Sequence, residues 1–190
     1  MKLNKRGFTL IELLAVIVIL GVLLAIAVPS VTRYINESKK NTYIDNAQTY
    51  ATTARNQASL GTTFKYPVNN KEATIITFAA LAEHLDKGGK KSPYGTAFVP
   101  ENSFVVIANI GTAEEPKYEF FIAAIDEDGY GIGTITNGTA KAEVISYDGL
   151  TTANIIQISG SGVAQPAAGE KIMTSSGEYT VTNVHTVTTE

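Results

Sequence analysis

The sequence predicts an α+β fold, with one long N-terminal α-helix packed against an antiparallel β-sheet. Three observations lead to it. An unbroken apolar run over residues 13–28 passes into small and aromatic residues at helical spacing, namely Tyr43, Ala47, Tyr50, Ala51, Ala54 and Ala58. From about residue 103 onward, short stretches rich in β-branched and aromatic residues alternate with Gly, Asp and Ser turns. The 190 residues include no cysteine, which excludes disulfide staples, thiolate metal sites and cysteine nucleophiles. The fold must therefore rest on core packing.

The elements follow in order. The helix runs from about Thr9 to about Leu60 and stops at Gly61. Its first half is apolar all round and its second half has one apolar face. Pro29 lacks a backbone donor and Gly21 is a weak helix former, so both mark expected breaks. Residues 62–71 read as an irregular connection. Thr77 N-caps a short helix over 78–84, with Phe78, Leu81, Ala82 and Leu85 facing inward. Residues 87–95 are a loop. Strands are expected at 103–108, 118–125 and 130–135, with Asp126-Glu127-Asp128-Gly129 as the turn of a hairpin between the last two. Further strands are expected at 141–147, 153–158 and 178–187, with a surface loop over 159–169. No internal repeat is present.

The N-terminus carries most of the functional information. A basic leader, with Lys2, Lys5 and Arg6, ends at Gly7. Between Phe8 and Arg33 the only charge is Glu12. Burying one aliphatic side chain is worth about 1.5–3 kcal/mol, so residues 13–28 hold on the order of 30 kcal/mol of burial, an upper estimate. As a helix, residues 8–31 would span roughly 36 Å, enough for a hydrocarbon core of about 30 Å. This segment belongs in a bilayer, in a packed assembly of its own kind, or in each in turn.

Three ordinary readings compete. A secretory signal peptide cut after Ala25-Ile26-Ala27 has the right small-x-small form, but it would orphan half of a continuous helix. A plain membrane anchor explains the length and leaves Glu12 without a role. A carboxylate near a helix N-terminus is worth about 0.3–1 kcal/mol, less than the roughly 2.5–3.5 kcal/mol that charge costs deep in a membrane.

Lys5-Arg6-Gly7-Phe8-Thr9-Leu10-Ile11-Glu12 followed by the apolar run resembles the class III leader of type IV prepilins and related pseudopilins. Pro29 sits where such helices commonly carry one. The stretch 81–85, the Ser92-Pro93-Tyr94-Gly95 loop, and residues 104–108 and 118–129 are similar to pilins of Gram-positive bacteria, especially clostridia. The resemblance implies the type IV pilin fold. It implies a leader, 1–7, an apolar helix, 8–31, that is first transmembrane and then filament core, and a globular domain, 32–190. It implies cleavage between Gly7 and Phe8 by a prepilin peptidase, methylation of the new Phe8 amine, and assembly into a helical homopolymer by a platform and ATPase. The precursor would cross the cell membrane once, and the pilus would lie at the cell surface, serving attachment or twitching motility. Glu12, four residues from the new Phe8 amine, would pair with its own amine or with that of a neighbouring subunit, and at about 4 Å and an effective dielectric near 20 such a pair gains about 4 kcal/mol before desolvation. Pairing with a neighbour would select one axial register. The cysteine pair near the C-terminus of many Gram-negative pilins has no counterpart here.

The remaining candidates are weaker. Asp126, Glu127 and Asp128 lack EF-hand spacing and read as a solvated Asp-Gly turn rather than a calcium loop. His84 and His185 lack metal-ligand spacing. No serine sits in a G-x-S-x-G elbow, and Ser159-Gly160-Ser161-Gly162 lacks the Lys-Ser/Thr of a phosphate loop. Asn137-Gly138-Thr139 reads as a turn, and Tyr43 and Tyr50 as core. A formal net charge of -3 with no basic stripe gives no case for nucleic acid. The expected protein is a non-enzymatic pilin without metal or cofactor. The alternatives are a pseudopilin of a type II secretion or DNA-uptake machine, and a membrane-anchored extracellular binding domain that never polymerises.

Overall fold

A computed structural model describes residues 9–61, 63–85 and 89–187. Its backbone contacts divide the chain into two compact units, Met1–Ser38 and Lys39–Glu190. Helix α1 spans Leu10–Leu60, 51 residues. It ends where Gly61 takes the left-handed conformation at φ 66° and its N–H reaches Ala58 O at 3.1 Å. The helix continues through both Gly21 and Pro29, so the break expected at those positions is absent from the isolated chain. Proline removes one rung of the ladder, that to Ala25 O. Helical turns continue on both sides of that rung, and the Ser30 and Thr32 hydroxyls donate back to Ile26 O and Val28 O at 3.3 and 3.0 Å.

Strand β1 (Glu72–Thr77) runs directly into helix α2 (Phe78–Ala82). The Thr77 hydroxyl caps α2 by accepting the Ala80 N–H, and Phe78 and Leu81 are buried as expected. Then come β2 (Phe104–Asn109), β3 (Tyr118–Ala123), β4 (Tyr130–Thr136), β5 (Thr139–Ala142), β6 (Ile145–Ser146), β7 (Ile155–Gln157), β8 (Lys171–Thr174) and β9 (Gly177–His185). They form a six-stranded sheet of order β6-β3-β2-β1-β9-β8 and a three-stranded sheet of order β5-β4-β7. All ladders are antiparallel except β1–β9, which is parallel, with Ile75 opposite Val184.

The strands depart from the sequence reading in four places. β1 is a central strand, buried from Ala73 to Thr77. Its β-branched run Thr74-Ile75-Ile76-Thr77 lies against the α2 cap and gives no alternation, because both faces are covered. β8 is four residues long, below the length at which a pattern is readable. The stretch read as one strand over 141–147 is divided at Glu143 and Val144, so that β5 and β6 serve different sheets. Finally, the Asp126 turn joins a hairpin as expected, but a short one. The Ile125–Gly131 bridge is flanked by Asp126 N–H to Tyr130 O and Ile132 N–H to Ala124 O, both 2.8 Å, and β3 and β4 then separate as the free edge of β3 pairs with β6.

The larger sheet is buried on both faces. One face meets α1, where Tyr43, Ala47, Tyr50, Ala51, Ala54 and Ala58 pack with Ile76, Val105, Ile107, Phe120 and Ile122. Alanines along the helix let its backbone lie close to the strands. The opposite face encloses Ile75, Phe104, Val106, Phe121, Ile172, Tyr179 and Val181. The sheet curls around this second core until its two edges touch. Ser175 N–H donates to Val144 O at 2.9 Å, and Ser146 N–H to Ser175 Oγ at 3.1 Å.

Candidate functional site

The candidate site is the start of α1. Thr9 and Glu12 form a reciprocal cap. The Thr9 N–H and its hydroxyl both donate to Glu12 Oε2 at 2.8 Å, and the Glu12 N–H donates to Thr9 Oγ1 at 3.3 Å. Both bonds to the carboxylate use Oε2, so Oε1 has no donor among the described residues. Thr9 is the functional neighbour that the sequence reading missed. The signal was present, since Thr9-Leu10-Ile11-Glu12 is the S/T-x-x-E capping pattern before an apolar run. The cap satisfies helix donors and holds the carboxylate at the first turn, so a helix-terminal role for Glu12 is realised. Gly7 and Phe8, together with the rest of the leader, lie outside the described residues.

Beyond the cap, the helix is uncovered. No side chain from Thr9 to Ser38 is buried, and Leu10, Ile26 and Leu20 are 85%, 69% and 50% exposed. This is one helix long and apolar enough to cross a membrane.

The other candidate residues fall elsewhere. Asp126 is not solvated but 2% exposed. Its Oδ1 accepts the N–H groups of Asp128 and Tyr130 at 3.1 and 2.8 Å, and its Oδ2 accepts the Ser92 hydroxyl. Burial nevertheless pushes this carboxyl above the usual Asp range, against the pull of those donors. The site ties the 91–98 loop to the turn, with Tyr94 stacked on Tyr130 at 3.7 Å and Lys39 5.3 Å from the centre of the Tyr94 ring. Tyr43 and Tyr50 are core, and burial pushes the Tyr50 hydroxyl up to about 12. His84 and His185, distant in sequence, both pack edge-on against Phe64 at 5.6 and 5.1 Å. Burial lowers the His185 pKa, and Lys65 adds to the effect. Asn137 and Gly138 form the tip of the β4–β5 hairpin, both at positive φ. Among the described residues there is no group of three or more His, Cys, Asp or Glu able to hold a metal ion.

Residues 2–28 match the family description "prokaryotic N-terminal methylation motif". No solved structure matches the chain. The chain is a helix-and-sheet protein with a prepilin-type N-terminal motif, consistent with the pilin and pseudopilin class in general. The motif is that of a structural class of protein rather than an enzyme class. A leader of this kind implies a dedicated processing peptidase.

Proposed function

We propose that this chain is a type IV pilin of a Gram-positive bacterium, the structural subunit of a surface filament used for attachment or motility. The observation that carries the reading is a methylation motif joined to an apolar helix half with no buried side chain. Cleavage between Gly7 and Phe8 leaves the apolar helix attached and creates a cationic amine at Phe8. In the membrane the helix anchors the subunit, and in the filament the same surface is buried against other subunits. The free Oε1 of Glu12 then takes the amine of an adjacent Phe8 while Thr9 keeps hold of Oε2. Such a pairing selects one axial register, because an unpaired charge in an apolar core is strongly disfavoured. Inside that packing the Gly21–Pro29 stretch is the place where the helix loses regular hydrogen bonding, as neighbouring helices supply partners for freed groups. Residues 32–190 then form the outward-facing domain. A prepilin peptidase, an assembly platform and its ATPase are the implied partners.

Mass spectrometry of sheared surface material tests the reading. The expected result is abundant protein beginning at a methylated Phe8. A mature N-terminus at Val28 or Pro29 restores the ordinary signal peptide and ends the pilin reading. Uncut, unassembled protein at the cell surface supports the anchored binding domain instead.

A further inference from the structure

We propose that the open seam between β5 and β8 is a binding slot for an extended peptide of another protein, which enters as a strand between two free strand edges. The ladders decide which backbone groups face the seam. In the β8–β9 hairpin, Thr174 pairs with Gly177 and Ile172 with Tyr179, and Val181 N–H continues the series to Glu170 O at 2.8 Å. Antiparallel alternation therefore turns the backbone of residues 171, 173 and 175 away from β9. In the β4–β5 hairpin, Thr136 pairs with Thr139 and Thr134 with Lys141, and Glu143 N–H continues to Ile132 O at 3.1 Å. Residues 140, 142 and 144 turn away from β4 by the same rule. The two outward series meet once, where Ser175 N–H donates to Val144 O.

Beyond that rung the edges are apart. Among the described residues no backbone bond joins 140–142 to 171–173. A cavity of about 670 Å³ lies between them, lined by both edges and by the 158–164 loop. This volume is that of an ordinary ligand site. Of its buried lining residues Val144, Ile158 and Ile172 are apolar and Thr174 is polar, and Val163 is partly buried beside them.

The walls specify the ligand. Each offers N–H and C=O groups at strand spacing, about 3.3 Å per residue, a pattern complementary to another extended main chain. Residues 140–142 and 171–173 flank the same cavity and both lead into the Val144–Ser175 rung, so the two edges run the same way and one inserted strand has the same sense against both. Antiparallel insertion is favoured on both sides. The charged lining residues are Lys141, Glu143 and Lys171, and Lys171 is held by Glu178 at 2.6 Å. With charges nearly balanced, the ligand is an uncharged segment, apolar on the side chains that point inward. The described strands of this chain are each already paired within its own sheets, so the inserted strand is supplied from outside them.

The full chain in detergent micelles is titrated with a fluorescein-labelled hexapeptide of alternating threonine and valine. Saturable anisotropy is expected, with slowed hydrogen exchange at Ala140, Ala142, Lys171 and Met173. The same peptide N-methylated at alternate residues should bind about tenfold more weakly or worse, the effect of losing about 1.4 kcal/mol of hydrogen bonding. Met173→Pro, which deletes one outward donor, should weaken binding similarly. If that variant does not fold, the N-methylated peptide on the unaltered chain decides alone. No saturable binding, or binding indifferent to N-methylation, overturns the proposal. Protection of the same amides that grows with protein concentration and needs no peptide also overturns it, and assigns the slot to a second copy.

Discussion

The two halves of α1 are one continuous helix with opposite relations to their surroundings. From Leu10 to Ile35 the helix is almost wholly aliphatic and none of it is buried. From Tyr43 to Ala58 it is far less greasy, yet Tyr43, Ala47 and Ala54 are completely buried. Burial here follows from the pairing of faces and not from hydropathy. The second half has one stripe of small and aromatic residues that a sheet can cover. The first has no polar side for a domain to leave in water, so only a surrounding apolar medium suits it. The half with no buried side chain among the described residues is the half that the methylation motif heads.

Replacing Glu12 by Val tests the first half most severely. In the pilin reading it strands the Phe8 amine in an apolar core, a loss on the order of 3–5 kcal/mol. Cleaved, membrane-retained protein with few or no filaments is expected by blotting and electron microscopy. Normal filament numbers would remove the carboxylate from the account. In the same reading, Gly7 replaced by a bulky residue should instead leave uncut precursor, since the proposed cleavage needs an unhindered backbone there.

Paired truncations sharpen the contrast between the halves. Tyr50 stacks on Phe78 at 3.7 Å and is 1% exposed. Tyr50→Ala should cost about 3–5 kcal/mol in chemical denaturation of the detergent-solubilised chain. Val18→Ala, one of the aliphatic changes in the uncovered half, should stay within about 0.5 kcal/mol in the same assay. A comparable loss at Val18 would mean that the first half is covered in the monomer after all.

The buried turn gives a smaller, pH-dependent effect. Asp126→Ala leaves the Ser92 hydroxyl and the Asp128 and Tyr130 N–H groups without their acceptor, a cost of about 2–3 kcal/mol. The carboxyl is raised in the folded state, so the native chain holds its proton to higher pH than the unfolded chain does. Its contribution is full below the unfolded Asp value and declines as pH rises through the folded one. Asp126→Asn should flatten that decline in a denaturation series from acid to neutral pH.

The smallest effect belongs to the cap. Thr9→Ala removes the hydroxyl that holds Glu12 and accepts its N–H, worth about 1 kcal/mol of helix stability. Faster hydrogen exchange confined to the first turn of α1 is expected, with the core half unchanged.

The sequence by itself determined the helix limits, the Gly61 stop, the Thr77 cap, the uncovered apolar half and most strands. These are local matters, set by periodicity, capping chemistry and transfer energy over a few neighbouring residues. Four decisions belonged to the tertiary structure alone. β1 is central because β2 and β9, far away in the chain, close on its two edges, which no alternation within Ala73-Thr74-Ile75-Ile76 could announce. Asp126 is buried because the 91–98 loop folds over it, although an Asp-Glu-Asp-Gly turn reads as solvated on its own. His84 and His185 share Phe64 only through packing between distant elements. The seam from Val144–Ser175 to the open edges of β5 and β8 depends on how far a twisted sheet curls before its edges meet. That curl is the sum of many side-chain contacts on two buried faces, and no single stretch of sequence encodes it.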